Sequence, residues 1–197
     1  MKKIVFLLTV VLFANFSFAQ KRKTAVKKVA TEKSSSAKVD NLTAEIKGKT
    51  FQVTINEKGK PVDAINVKEL TDNNKPIDIK LSSFTANGTK LYLLQWTEKT
   101  NTKTDLKTED ITTVYSVVHE ITNKKQVFSN FEKTNNIVEK VFLDKLKNAS
   151  ETQEKIRREG FVFTLNPDGS ITQKNKTQEN KWVYDAVKID YVDAKKK

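Results

Sequence analysis

The sequence predicts an α+β chain: predominantly antiparallel β-sheet, a curved sheet or partial barrel of about nine strands, with one long helix near 136–159 packed on it. Three observations carry this. After Asn41 apolar and polar residues alternate in short runs, the period of half-buried strands. Turn residues, among them one Asn-Gly and one Pro-Asp-Gly, separate the runs. Only the stretch from Asn136 to Glu159 spaces its apolar residues near 3.6, the period of a helix with one sheltered face.

Residues 1–19 have the three parts of a secretory signal peptide. Lys2 and Lys3 precede the apolar run Ile4 to Phe13, and Ser17-Phe18-Ala19 places small residues where a signal peptidase reads, so cleavage is expected after Ala19. The apolar stretch is too short, and too interrupted by Asn15, for a membrane span of about 20 residues. Residues 20–40 are rich in Lys, Ser, Thr and Ala, with too little apolar surface to offset the entropy of ordering, and read as a basic disordered spacer.

A single β-rich domain is expected over 41–194, with a lysine tail at 195–197. In its first strand Phe51, Val53 and Ile55 share a face. Glu57-Lys58-Gly59-Lys60 turns the chain into a second strand with Ile65, Val67 and Leu70, and Asn73-Asn74 makes the next turn. Ile77, Ile79 and Leu81 form a third. Asn87-Gly88 follows, a pair suited to a two-residue hairpin because both positions tolerate positive φ. Lys90 to Trp96 is apolar on both faces and reads as a covered central strand. Ile111 to Ile121 is a further strand, turned at Asn123-Lys124 into Gln126–Phe131.

The helix is placed by Asn136, an N-cap with Glu139 three residues on, and by Val138, Phe142, Leu146, Ala149 and Ile156 along one side. Beyond Gly160, Phe161, Phe163 and Leu165 alternate, Asn166-Pro167-Asp168-Gly169 turns the chain, and Ile171 begins the return. The last strand carries Trp182, Tyr184, Val187, Ile189 and Tyr191, with a bulge near Ala186 to reconcile two out-of-phase apolar sets. No internal repeat is present.

Composition narrows the chemistry. The absence of cysteine excludes disulfides, thiolate metal sites, a cysteine nucleophile and a lipid-bearing cysteine. The net charge of +12 is concentrated at the ends: residues 1–40 hold a surplus of seven and the last three lysines add three, leaving +2 on 41–194. Nucleic acid is therefore not an expected partner of the folded part. His119 is the only histidine, without the second ligand an ordinary zinc site needs, and reads as a core imidazole. Glu109, Asp110, Asp144, Glu151 and Glu159 are the carboxylates nearest apolar segments; paired-carboxylate chemistry needs two held across a cleft, which spacing does not show for residues on different strands, and surface charge is the better reading of each.

The polar segment Glu98 to Asp110 reads as a long mobile loop or a recognition loop, and Lys174–Lys181 as a shorter one. Trp96, Trp182, Tyr92 and Tyr184 offer an aromatic platform for sugar or lipid, against the more common role of strand packing. No catalytic, cofactor-binding or metal residue emerges. The expectation is a non-enzymatic exported binding or interaction protein of the bacterial cell envelope or exterior, with a protein, glycan or lipid partner. A barrel-type carrier of a small apolar ligand such as a lipid is the alternative, and a carboxylate-based hydrolase the third.

Overall fold

The computed structural model describes residues 36–71 and 74–196. The signal peptide expected over 1–19, the spacer up to residue 35, Asn73 of the Asn73-Asn74 turn and Lys197 of the lysine tail lie outside the described residues. Ser36–Val39, the end of the stretch read as spacer, form the first strand.

The described chain is built of three antiparallel meanders, each in simple chain order. Sheet A holds β1 (Ser36–Val39), β2 (Leu42–Lys47), β3 (Thr50–Glu57) and β4 (Lys60–Glu69). Sheet B holds β5 (Ile77–Ala86), β6 (Thr89–Lys103), β7 (Lys107–Glu120), β8 (Lys125–Phe142) and β9 (Ser150–Gly160). Sheet C holds β10 (Val162–Leu165), β11 (Ile171–Lys174), β12 (Glu179–Asp185) and β13 (Asp190–Asp193), followed by one 3-10 turn at Ala194–Lys196. Asn87 and Gly88, both at positive φ (48° and 78°), make the tight β5–β6 turn that this dipeptide predicts.

Three expectations are corrected. The α+β class does not hold, because the helix expected over 136–159 is instead the second half of β8, a turn at 143–149, and β9. Asn136 pairs with Asp110 and Ile156 in mid-sheet and caps nothing. Val138, Phe142 and Leu146 are four residues apart, an even number, so strand geometry also puts Val138 and Phe142 on one side, and the ladder offered by β7 decides between the two periods. The polar segment 98–110 is not a loop either. Glu98 to Lys103 pairs residue by residue with Thr108 to Thr113, leaving only Thr104 to Leu106 to turn, because its threonines are β-branched and suit a strand despite their polarity. At Ala186 the chain makes a full hairpin turn in place of a bulge: the Asp185 carboxylate accepts the Val187 and Lys188 amides, and β13 returns along β12. The three sheets of the described chain stay open, and none closes into a barrel.

Sheet B is the middle layer, and β6 shows why. Tyr92, Leu94 and Trp96 enter one buried cluster with Leu42, Ala44, Phe51 and Val53 of sheet A. Leu91 and Leu93, pointing the other way, enter a second with Ile171, Tyr184 and Tyr191 of sheet C. This is the doubly covered strand predicted from its two apolar faces. The covering sheets reach only part of the way along β6–β9. In 99–113 and 132–159, Ile137 is the one buried residue, so these four strands project as an arm.

Candidate functional site

The arm meets sheet C at Gly160. There the backbone adopts φ +81°, and a Cβ would stand 2.1 Å from the Phe131 carbonyl oxygen, which also accepts the Phe161 amide at 3.0 Å. Only glycine fits so close to β8 in that conformation. The corner is pinned from sheet C by a relay of side chains: Trp182 Nε1 donates to Gln173 Oε1 (2.8 Å), Gln173 Nε2 donates to Asn130 Oδ1 (2.8 Å), and Asn130 Nδ2 donates to the Phe161 carbonyl (2.9 Å). Gln173 and Asn130 are both buried, so this satisfied network fixes the angle between the two sheets.

Every second residue through the corner, Ile156, Arg158, Gly160, Val162 and Thr164, lines one groove of about 610 Å³. Thr172 and Lys174 of β11, the ladder partners of Thr164 and Val162, continue this surface to Asn175, Lys176 and Thr177 of the β11–β12 turn, and Glu132 and Glu159 complete the lining. Ile156 and Val162 are 60% and 51% exposed, an apolar floor open to water. Lys174 is paired with Glu179 at 2.8 Å and Glu159 with Lys133 at 3.2 Å. Arg158, Lys176 and Glu132 form no ion pair among the described residues, which leaves the groove a net positive charge and one planar guanidinium free to fork onto a carboxylate. Along its rim runs β9, the last strand of sheet B, whose outer edge is unpaired among the described residues.

A second hollow, of about 390 Å³, opens on the other face of the sheet, where Trp96, Tyr115 and Phe131 stand in one cross-strand row. Its charges are consumed internally. Lys68 Nζ donates to both Glu98 oxygens at 2.7 Å, Trp96 Nε1 donates to one of them at 2.9 Å, and Lys68 also lies 5.5 Å from the Tyr115 ring centre.

The residues singled out from the sequence fall elsewhere. His119 is buried opposite Tyr92, and burial pushes its imidazole down to about 4, so it is neutral at ordinary pH. Glu109 and Asp110 point to opposite faces. Glu109 accepts from Lys107 and Asn135, and the Lys107 ammonium holds it below the usual carboxylate range. Asp144 accepts the Asn148 and Ala149 amides, and Glu151 accepts from Gln153. Glu159 and Glu132 line the same groove but sit on opposite faces of the sheet, since Glu132 pairs with Gly160 and Glu159 with Lys133. Trp96, Tyr92, Trp182 and Tyr184 are packing residues of the two cores, not a platform.

No family model matches this chain, and no curated protein or solved structure matches it. The site therefore stands on its own geometry. Arg158 is the residue that sequence reasoning passed over, and a signal was present: the chain has three arginines, Arg22, Arg157 and Arg158, two of them adjacent. On a strand, adjacent residues face opposite ways. Arg157 joins Lys155 and Lys107 around Glu139, whose carboxyl the Lys155 hydrogen bond chiefly holds down, and Arg158 is left to the groove.

Proposed function

We propose that this is a non-enzymatic, exported binding protein whose groove takes an extended, acidic segment of a protein partner. The observation that carries the reading is the unpaired Arg158 set between exposed Ile156 and Val162. A guanidinium beside apolar side chains matches a carboxylate flanked by aliphatic groups, and the threonine hydroxyls of the walls add neutral hydrogen bonds. The edge of β9, unpaired among the described residues, offers backbone donors and acceptors to an extended chain, a mode in which ladder bonds supply affinity and alternate side chains supply choice. A glycan or lipid has no use for that edge, which is why a peptide is preferred. The charges along β9 (Glu151, Glu154, Lys155, Arg157) oppose indiscriminate strand addition and admit a complementary sequence.

The test is fluorescence anisotropy with labelled extended peptides alternating Glu and Val, against the same peptides carrying Gln for Glu. The acidic peptide binds more tightly, and Arg158→Gln weakens it roughly tenfold or more, the worth of a charge-assisted hydrogen bond. Equal binding of the two peptides, or an Arg158→Gln chain that binds as well as the parent, would refute the reading.

A further inference from the structure

We propose that the far end of the arm is a second binding site, one that docks on the surface of an anionic lipid bilayer. Two turns meet there. The β6–β7 turn carries Leu106, whose carbonyl accepts the Lys140 amide at 2.8 Å and so ties this turn to the last residues of β8. The β8–β9 turn carries Leu143 and Leu146. These leucines are 47%, 63% and 81% exposed, the last two among the most exposed large apolar side chains described.

Their exposure is imposed by an ordered turn. The Leu143 amide donates to the Ala149 carbonyl (3.0 Å), the Lys147 amide to the Asp144 carbonyl (3.3 Å), and the Asp144 carboxylate accepts the Asn148 and Ala149 amides (2.9 and 3.2 Å). A turn held in this way keeps its leucines outward in water, where nothing described in the chain covers them.

The charge around them is basic and free. Lys103, Lys140, Lys145 and Lys147 form no ion pair among the described residues, and the ammonium groups of Lys140 and Lys147 lie 5.8 and 5.5 Å from the centre of the Phe142 ring. Of the acids nearby, Glu139 is paired with Lys155, while Asp144, which accepts only neutral amides, keeps its charge with Asp105 and Glu151, so four lysines face three carboxylates and the end of the arm carries a surplus of one positive charge. Leucines on two protruding turns, ringed by ammonium groups on apolar stems, reproduce the depth order of a bilayer surface: acyl boundary first, phosphates just above. Anionic headgroups complete the charge match. A protein surface would ask for a broad flat patch, and these leucines stand on the tips of two narrow turns.

Flotation of the full chain with vesicles of phosphatidylcholine and phosphatidylglycerol tests this, with phosphatidylcholine vesicles as the comparison. The parent chain floats with the mixed vesicles and far less with the neutral ones, and the Leu106→Ser/Leu143→Ser/Leu146→Ser chain loses about tenfold in bound fraction. The basic segment 20–40 is the same in both chains, so equal flotation of the two would assign any binding to that segment and overturn the proposal. Absence of binding, or equal binding to neutral vesicles, overturns it as well. A Leu146→Trp chain gives a readout that does not depend on how the triple variant folds: its added emission moves to shorter wavelength with mixed vesicles, and an unmoved spectrum refutes insertion.

Discussion

At the scale of single residues, the fold decides which charges are available and which are spent. Lys68 and Glu98 satisfy each other at the edge of the sheet A core, with the Trp96 indole as a third partner. Glu120 is opposed by burial, but the Asn123 and Thr122 donors outweigh that and hold its carboxyl below the usual range, so it caps the β7–β8 turn as an anion. His119 has burial alone acting on it. As pH falls through about 6.5 the unfolded chain takes up the proton first, and the folded chain follows only near 4. Stability therefore declines across that window by about 3 kcal/mol, and it is full above it. Titration of the single imidazole by nuclear magnetic resonance should give a midpoint near 4, and a midpoint at the ordinary value would show that the ring is solvated. That His119 is a core residue was legible in the sequence, from its place between Val117 and Ile121. Its acid shift was not, since burial is set by sheet A and β6.

Among the elements, local chirality is what the sequence reports most faithfully. Asn87-Gly88 and Asn166-Pro167-Asp168-Gly169 turn where they are expected to, because the φ preference of each residue acts within the turn itself. The stretch 136–159 carries a helical pattern yet forms strands, because a four-residue spacing satisfies both periods. Ile137, the one buried residue of the arm, lies off the helical stripe and marks the strand. Gly160 is the element-scale hinge of the groove. Gly160→Ala forces a side chain into the Phe131 carbonyl at a φ that alanine disfavours, and should cost about 2–4 kcal/mol in urea unfolding while also lowering peptide affinity. An Ala variant of parental stability would mean that the corner relaxes freely.

For the whole molecule, the organising fact is one strand with two cores. Leu93 and Leu94 are neighbours on β6, yet one is buried with sheet C and the other with sheet A. Leu93→Ala and Leu94→Ala should each destabilise by about 2–5 kcal/mol and shift the same single unfolding transition, because sheet B is common to both layers. Two separate transitions, each moved by only one of the variants, would show that the outer sheets unfold independently. The arm lies beyond both cores, which frees Arg158 and the three exposed leucines for other molecules. The sequence by itself determined that this chain is strand-rich, where most of its tight turns fall, and that β6 is covered on both faces, since alternation and φ preferences act over two to four residues. Only the tertiary structure decided that three open sheets form, that polar threonine-rich strands extend sheet B into an arm, and that Arg157 falls on the side of Glu109 and Glu139 while Arg158 falls on the side of the groove. Those outcomes depend on which distant segment supplies the next ladder and the next covering layer, and no local pattern encodes a neighbour that arrives from elsewhere in the chain.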